Sequence, residues 1–153
     1  MQKPVFDGTK LIEVMKIIDM ASTLMEIKEY KKKPEIMSSL KKLQDYLQKI
    51  TGKKLESMES FRKYWEFTTL EDVAKKTLMP VPLHENLSNE QIKDIIINLF
   101  DHKEFEIGWY IDYLKVNTGI INISDYIYYP ESVGIAYNAS MNQIAERIIE
   151  DRK

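Results

Sequence analysis

The chain has 153 residues, 44% hydrophobic and 30% charged, a balance that supplies a core for one domain or two small ones. It has no cysteine, which excludes disulfides, thiol nucleophiles and thiolate metal sites. The formal charge of −2 hides an asymmetry: residues 1–83 carry 16 basic and 12 acidic side chains, a net +4, and residues 84–153 carry 6 and 12, a net −6. An acidic half repels nucleic acid and attracts a basic partner. The N-terminus lacks a basic-then-apolar leader pattern, and no apolar run approaches the roughly 20 residues a bilayer requires, so a cytoplasmic location and no membrane partner are expected.

Helical periodicity dominates. Thr9 to about Lys33 reads as one long helix with Leu11, Val14, Met15, Ile18 and Met25 on one side and Ile12, Ile17, Leu24 and Ile27 widening the face. Pro34 suits the first turn of a second helix, running through Leu40, Leu43, Leu47 and Ile50 to a stop at Gly52. A third segment covers about Leu55 to Tyr64. Thr68 with Glu71 reads as a capping box opening a short helix to Leu78. Met79-Pro80-Val81-Pro82 breaks the pattern, because each proline disfavours helix in the residue before it. Residues 1–78 therefore form a helical N-terminal region, 79–87 a linker and 88–153 a second domain.

After the linker, Ser88 and Gln91 form a capping box, with Leu87 and Ile92 placed as its hydrophobic staple. That helix runs to Phe100 with Ile92, Ile95, Ile96 and Leu99 on one face. The next spans about Glu104 to Asn117 and ends at Gly119. Ser124 can cap a short helix from Asp125 to Tyr129, closed by Pro130, and a last helix spans about Ala139 to Glu150. The predicted class is all-α.

An enzyme reading finds little to stand on. His84 and His102 sit in a linker and a turn, outside any metal-ligand spacing. The five glycines are scattered and form no phosphate loop. Lys31-Lys32-Lys33 is a basic run at a helix end, where cations favour the dipole. Neither a cofactor nor a metal is expected, and binding is favoured over catalysis.

The segment Asp125 to Pro130 is different. Three tyrosines and an isoleucine in about one and a half turns make a poor helix by propensity. Tyr126 and Ile127 can anchor it. Tyr128 and Tyr129 are adjacent and cannot both point inward, so at least one ring meets solvent. Tyrosine buries a large area with few rotatable bonds and keeps a polar tip, which suits an interface hot spot.

The stretch Ser124-Asp125-Tyr126-Ile127-Tyr128-Tyr129-Pro130 resembles the Ser-Asp-Leu-Ile-Tyr-Tyr-Pro-like short helix of the colicin/pyocin immunity proteins, small acidic helical proteins that bind and silence nuclease toxins. The match extends backward without a gap through Ile107, Tyr110, Ile111 and Leu114, and covers about residues 84–153. The resemblance implies a four-helix domain with a very short third helix. It implies shared partner contacts at Asp125, Tyr128 and Tyr129, with Pro130 closing the platform. It implies a specificity face on the preceding helix at Glu104, Gly108, Ile111, Asp112 and Lys115. It also implies a basic partner: the nuclease domain of a bacteriocin-type toxin, of the His-Asn-His DNase type that this family meets. Lys115 departs from the family, which is often acidic there, and residues 1–83 precede a domain that normally stands alone. A helical adaptor that uses the same tyrosine helix to bind a non-toxin protein is the alternative. A second apolar stripe, Trp109, Tyr113 and Val116, is expected to contact the N-terminal region.

Overall fold

A computed structural model describes all 153 residues and is all-α, with seven α-helices joined by loops and short 3-10 turns and no strand. No helix is long and apolar enough to cross a membrane. The chain divides into two compact units. Val5–Pro80 forms one, and Met1–Pro4 with Val81–Lys153 forms the other, so the first four residues belong with the C-terminal unit. The first unit carries 15 bases and 12 acids, a net +3; the second carries 7 and 12, a net −5.

In the Val5–Pro80 unit, α1 (Leu11–Met25) packs against α2 (Pro34–Thr51) and α3 (Leu70–Leu78). Its core joins Val14, Ile17, Ile18, Ala21 and Met25 of α1 to Leu40 and Leu47 of α2, Ala74 of α3, and Tyr30, Met58 and Phe61 from the connections. The expected helix from Thr9 to Lys33 stops at Met25, because its end tightens to i→i−3 bonds from Glu26 to Thr23 and from Ile27 to Leu24. Glu29 then takes a left-handed φ of 56°, which turns Tyr30 into the core, where its hydroxyl meets Glu59. The break leaves Ile27 exposed, and Ile12 is exposed as well, so the true apolar face of α1 is narrower than the pattern implies. Pro34 opens α2 and Gly52, at φ 68°, ends it. Leu55 to Tyr64 yields only the 3-10 turn Glu59–Phe61 and the start of a second, Tyr64–Glu66. The cap of α3 is Thr69, whose side chain accepts from the Asp72 N–H, and not Thr68.

The C-terminal unit holds α4 (Asn89–Ile97), α5 (Glu104–Thr118), α6 (Ile123–Tyr128) and α7 (Met141–Asp151). α4 packs along α7, and α6 touches both α5 and α7. Ser88 and Gln91 form the full capping box, and Leu87 and Ile92 are both buried. Ser140 and Gln143 form a second capping box, so α7 begins two residues later than expected. α5 buries a broad apolar side: Phe105, Trp109, Tyr110, Tyr113 and Leu114 are all buried. Trp109 stacks on Tyr113 with centroids 4.9 Å apart.

The extended segment ahead of α4 is tied to α5 through buried Asn117. Its Nδ2 donates to the carbonyls of Leu83 and Tyr113, both at 2.9 Å, and its Oδ1 accepts from the Glu85 N–H at 2.8 Å. Gln2 completes the arrangement. Its amide donates to the Val81 carbonyl at 3.0 Å and accepts from the Leu83 N–H at 2.8 Å. Tyr113 is thus met by Gln2 and Glu85 within its own unit, while Val116 stays exposed.

Candidate functional site

The short helix α6 is fixed from below. Ile123, Tyr126 and Ile127 are buried. The Tyr126 hydroxyl donates to Asp151 Oδ2 at 2.7 Å, and Arg147 Nε reaches the same oxygen at 3.0 Å. The Tyr126 bond and then Arg147 hold the Asp151 carboxyl below the usual carboxylate range, and that bond with burial pushes the Tyr126 phenol up. Arg147 also donates to the Val133 carbonyl at 3.3 Å, so α7 pins the turn that follows α6 as well as its base.

Pro130 sets where α6 ends. It drives Tyr129 out of helical geometry, to φ −135° and ψ 57°, although the Tyr129 N–H still donates to the Asp125 carbonyl at 2.8 Å. Pro130 then opens a 3-10 turn, Pro130–Val133, closed by Gly134 at φ 79°. Ser124 is not the expected cap: Asn122 precedes the helix without a side-chain cap bond, and Ser124 lies inside the first turn.

This backbone presents two tyrosines outward. Tyr128 is 49% exposed and Tyr129 is 69% exposed, and neither hydroxyl has a partner in the chain. Five of the other tyrosines, Tyr30, Tyr46, Tyr64, Tyr113 and Tyr126, give their hydroxyls to carboxylates. Asp125 is half-buried, and its carboxylate also takes no partner from the chain. Pro130 is half-buried beside them.

One residue of this surface escapes sequence reasoning. Phe100, in the 3-10 turn Leu99–Asp101 that follows because α4 ends at Ile97 and not at Phe100 as expected, is 50% exposed and packs edge-on against Tyr128 with ring centroids 6.0 Å apart. The available signal is its place after buried Leu99, since neighbours on a helical turn cannot share one inward direction.

On α5, Glu104, Gly108, Asp112 and Lys115 are exposed and Ile111 is half-buried, so the five residues share the solvent side of the helix. Asp112 and Lys115 are three apart, yet neither forms an ion pair. A Cβ at Gly108 would meet nothing within 4 Å. Packing within the chain therefore gives no reason for a mid-helix glycine, which costs about 1 kcal/mol relative to alanine.

The two histidines lie apart. His84 is exposed, and the His102 ring stacks on Tyr110 at 4.1 Å with its Nδ1 3.8 Å from Glu106. No three His, Asp or Glu side chains converge as a metal-binding group. The arrangement offers unpaired acids, phenol hydroxyls and exposed rings on a base held by buried side chains. Comparisons with known families, characterised proteins and solved structures find no match to the chain.

Proposed function

We propose that the acidic C-terminal unit is a nuclease-toxin inhibitor of the colicin/pyocin immunity type and acts by binding, without catalysis. The observation that carries this reading is the exposed pair Tyr128 and Tyr129, with unpartnered hydroxyls, at the end of a six-residue helix held by buried Tyr126 and Ile127. The sequence of that helix resembles the immunity proteins, and Tyr128 and Tyr129, two of the residues the resemblance assigns to the partner, are exposed. The net −5 of the unit favours a basic target such as the DNase domain of a bacteriocin. On this reading Tyr128, Tyr129 and Phe100 pack against the toxin, and Asp125 accepts a charge-assisted hydrogen bond from it. Bound to the nuclease, the acidic unit repels DNA and obstructs its approach, and attraction between opposite charges speeds association.

The test is calorimetric titration of the full chain against a basic nuclease domain encoded beside it, together with a DNA-cleavage assay. One-to-one binding that suppresses cleavage supports the reading. A neighbouring gene product that is no nuclease, yet binds through Tyr128 and Tyr129, replaces it with the adaptor alternative.

A further inference from the structure

Beyond Glu104, the outer face of α5 together with its Gly119 cap reads nearly the same in both directions. From Gly108 to Gly119 its solvent-side residues are Gly108, Ile111, Asp112, Lys115, Val116 and Gly119. At about 100° per residue, the five helical residues fall within an arc of about 140°, and Gly119, at φ 72°, caps the helix directly after it. Rotation about a two-fold axis midway between Asp112 and Lys115 lays α5 antiparallel on a second α5. It brings Gly108 opposite Gly119, Ile111 opposite Val116, and Asp112 opposite Lys115. Each residue then faces a counterpart of matching size or opposite charge.

Three further observations agree with that arrangement. Asp112 and Lys115 have no ion-pair partner in the chain, so both charges are available across the axis. Space beside Gly108 is open, which lets another backbone approach closely. Val116 also lines a groove of about 490 Å³, together with Val81, Pro82, Ile121, Asp112 and Lys115. Ile121 is 78% exposed and Val81 59% exposed there, so the chain leaves the groove uncovered. The two-fold sets Ile111 of one copy opposite Val116, at this groove, and the reverse contact follows by symmetry.

We propose that this face binds a second copy of the chain, forming an isologous dimer through antiparallel α5 helices. A uniformly basic partner would be matched by an acidic rim; one acid and one base three residues apart match their own image. The proposal is independent of the nuclease reading. The two surfaces share Gly108, Ile111, Asp112 and Lys115, so on that reading dimer and toxin complex exclude each other.

Sedimentation equilibrium of the full chain, from micromolar to sub-millimolar concentration, tests it without any partner. The expected result is a mass that rises from monomer to dimer. Asp112→Lys sets like charges across the axis and weakens dimerisation by about tenfold or more. Asp112→Lys combined with Lys115→Asp restores it. Gly108→Gln, whose side chain has room within its own copy, abolishes the dimer while circular dichroism stays unchanged. Wild-type chain that remains monomeric overturns the proposal. So does a dimer indifferent to Asp112→Lys or Gly108→Gln, or a double swap that stays monomeric.

Discussion

The Tyr113 hydroxyl donates to the Glu85 carboxylate, tying the middle of α5 to the extended segment that precedes α4. The Gln2 N–H reaches both partners, at 2.8 Å to Glu85 and 3.2 Å to the Tyr113 oxygen. Two distant parts of the chain, residues 1–4 and 81–87, are thereby held on one helix.

This pair makes stability depend on pH at both extremes. The Tyr113 bond, helped by Gln2, holds the Glu85 carboxyl below its ordinary range, so its contribution is present above that range and is lost as pH falls through the folded value. Burial and then the Glu85 bond push the Tyr113 phenol up to about 12 from 10.0, so its contribution is present below 10.0 and is lost as pH rises through about 12. Thermal melts of wild type and Glu85→Gln across the acid range check the first part. The wild-type advantage at neutral pH disappears once Glu85 is protonated; an advantage that does not change with pH counts against an engaged carboxylate.

Asn117 is the buried centre of the same arrangement, with three hydrogen bonds to backbone groups of the segment and of α5. Asn117→Ala leaves backbone groups without their partner and is expected to cost about 1–3 kcal/mol. Urea unfolding measures the loss, and hydrogen exchange places it at the amides of residues 83–85. A loss under half a kcal/mol would show that water replaces the amide without penalty.

Tyr128→Ala and Tyr129→Ala are each expected to weaken partner binding by about 2–4 kcal/mol with little change in melting temperature, because both rings are largely exposed. Phe100→Ala weakens it less and acts through Tyr128, its edge-on neighbour. Asp125→Asn lowers affinity, while its effect on folding stays within the roughly 0.3–1 kcal/mol that an acid contributes in a first helical turn. Calorimetric titration beside thermal melts separates the two quantities. Unchanged affinity with a large loss of stability returns these residues to a structural role.

The start of α3 gives a one-residue test of register. Thr69 caps the helix through the Asp72 N–H at 3.1 Å, and Thr68 makes no cap bond. Thr69→Ala is expected to cost about 1 kcal/mol and Thr68→Ala little. Chemical denaturation of the two variants, compared side by side, decides which threonine holds the helix.

Much of this molecule is written locally. The all-α class, the Pro34 start and Gly52 stop of α2, the Ser88–Gln91 box and the Gly119 stop of α5 follow from side-chain chemistry within a few residues, and the structure reproduces them. That at least one of Tyr128 and Tyr129 meets solvent was legible too, since two adjacent residues on a helical turn cannot both face one core; that both do is decided by the way the chain leaves helical geometry at Tyr129. Other features depend on residues far away in sequence. Tyr30, inside the helix that the periodicity implies, instead lies in the core beside Glu59 once α1 has ended at Met25. Phe100 joins the aromatic surface because α6 brings Tyr128 beside it. Residues 1–4 belong to the C-terminal unit because Gln2 satisfies backbone groups of residues 81–83 that the helices leave open. In each case long-range packing or hydrogen bonding outweighs a local preference worth less than about 1 kcal/mol per residue. Periodicity reports only that local preference, and the choice among distant partners is made when the chain closes on itself.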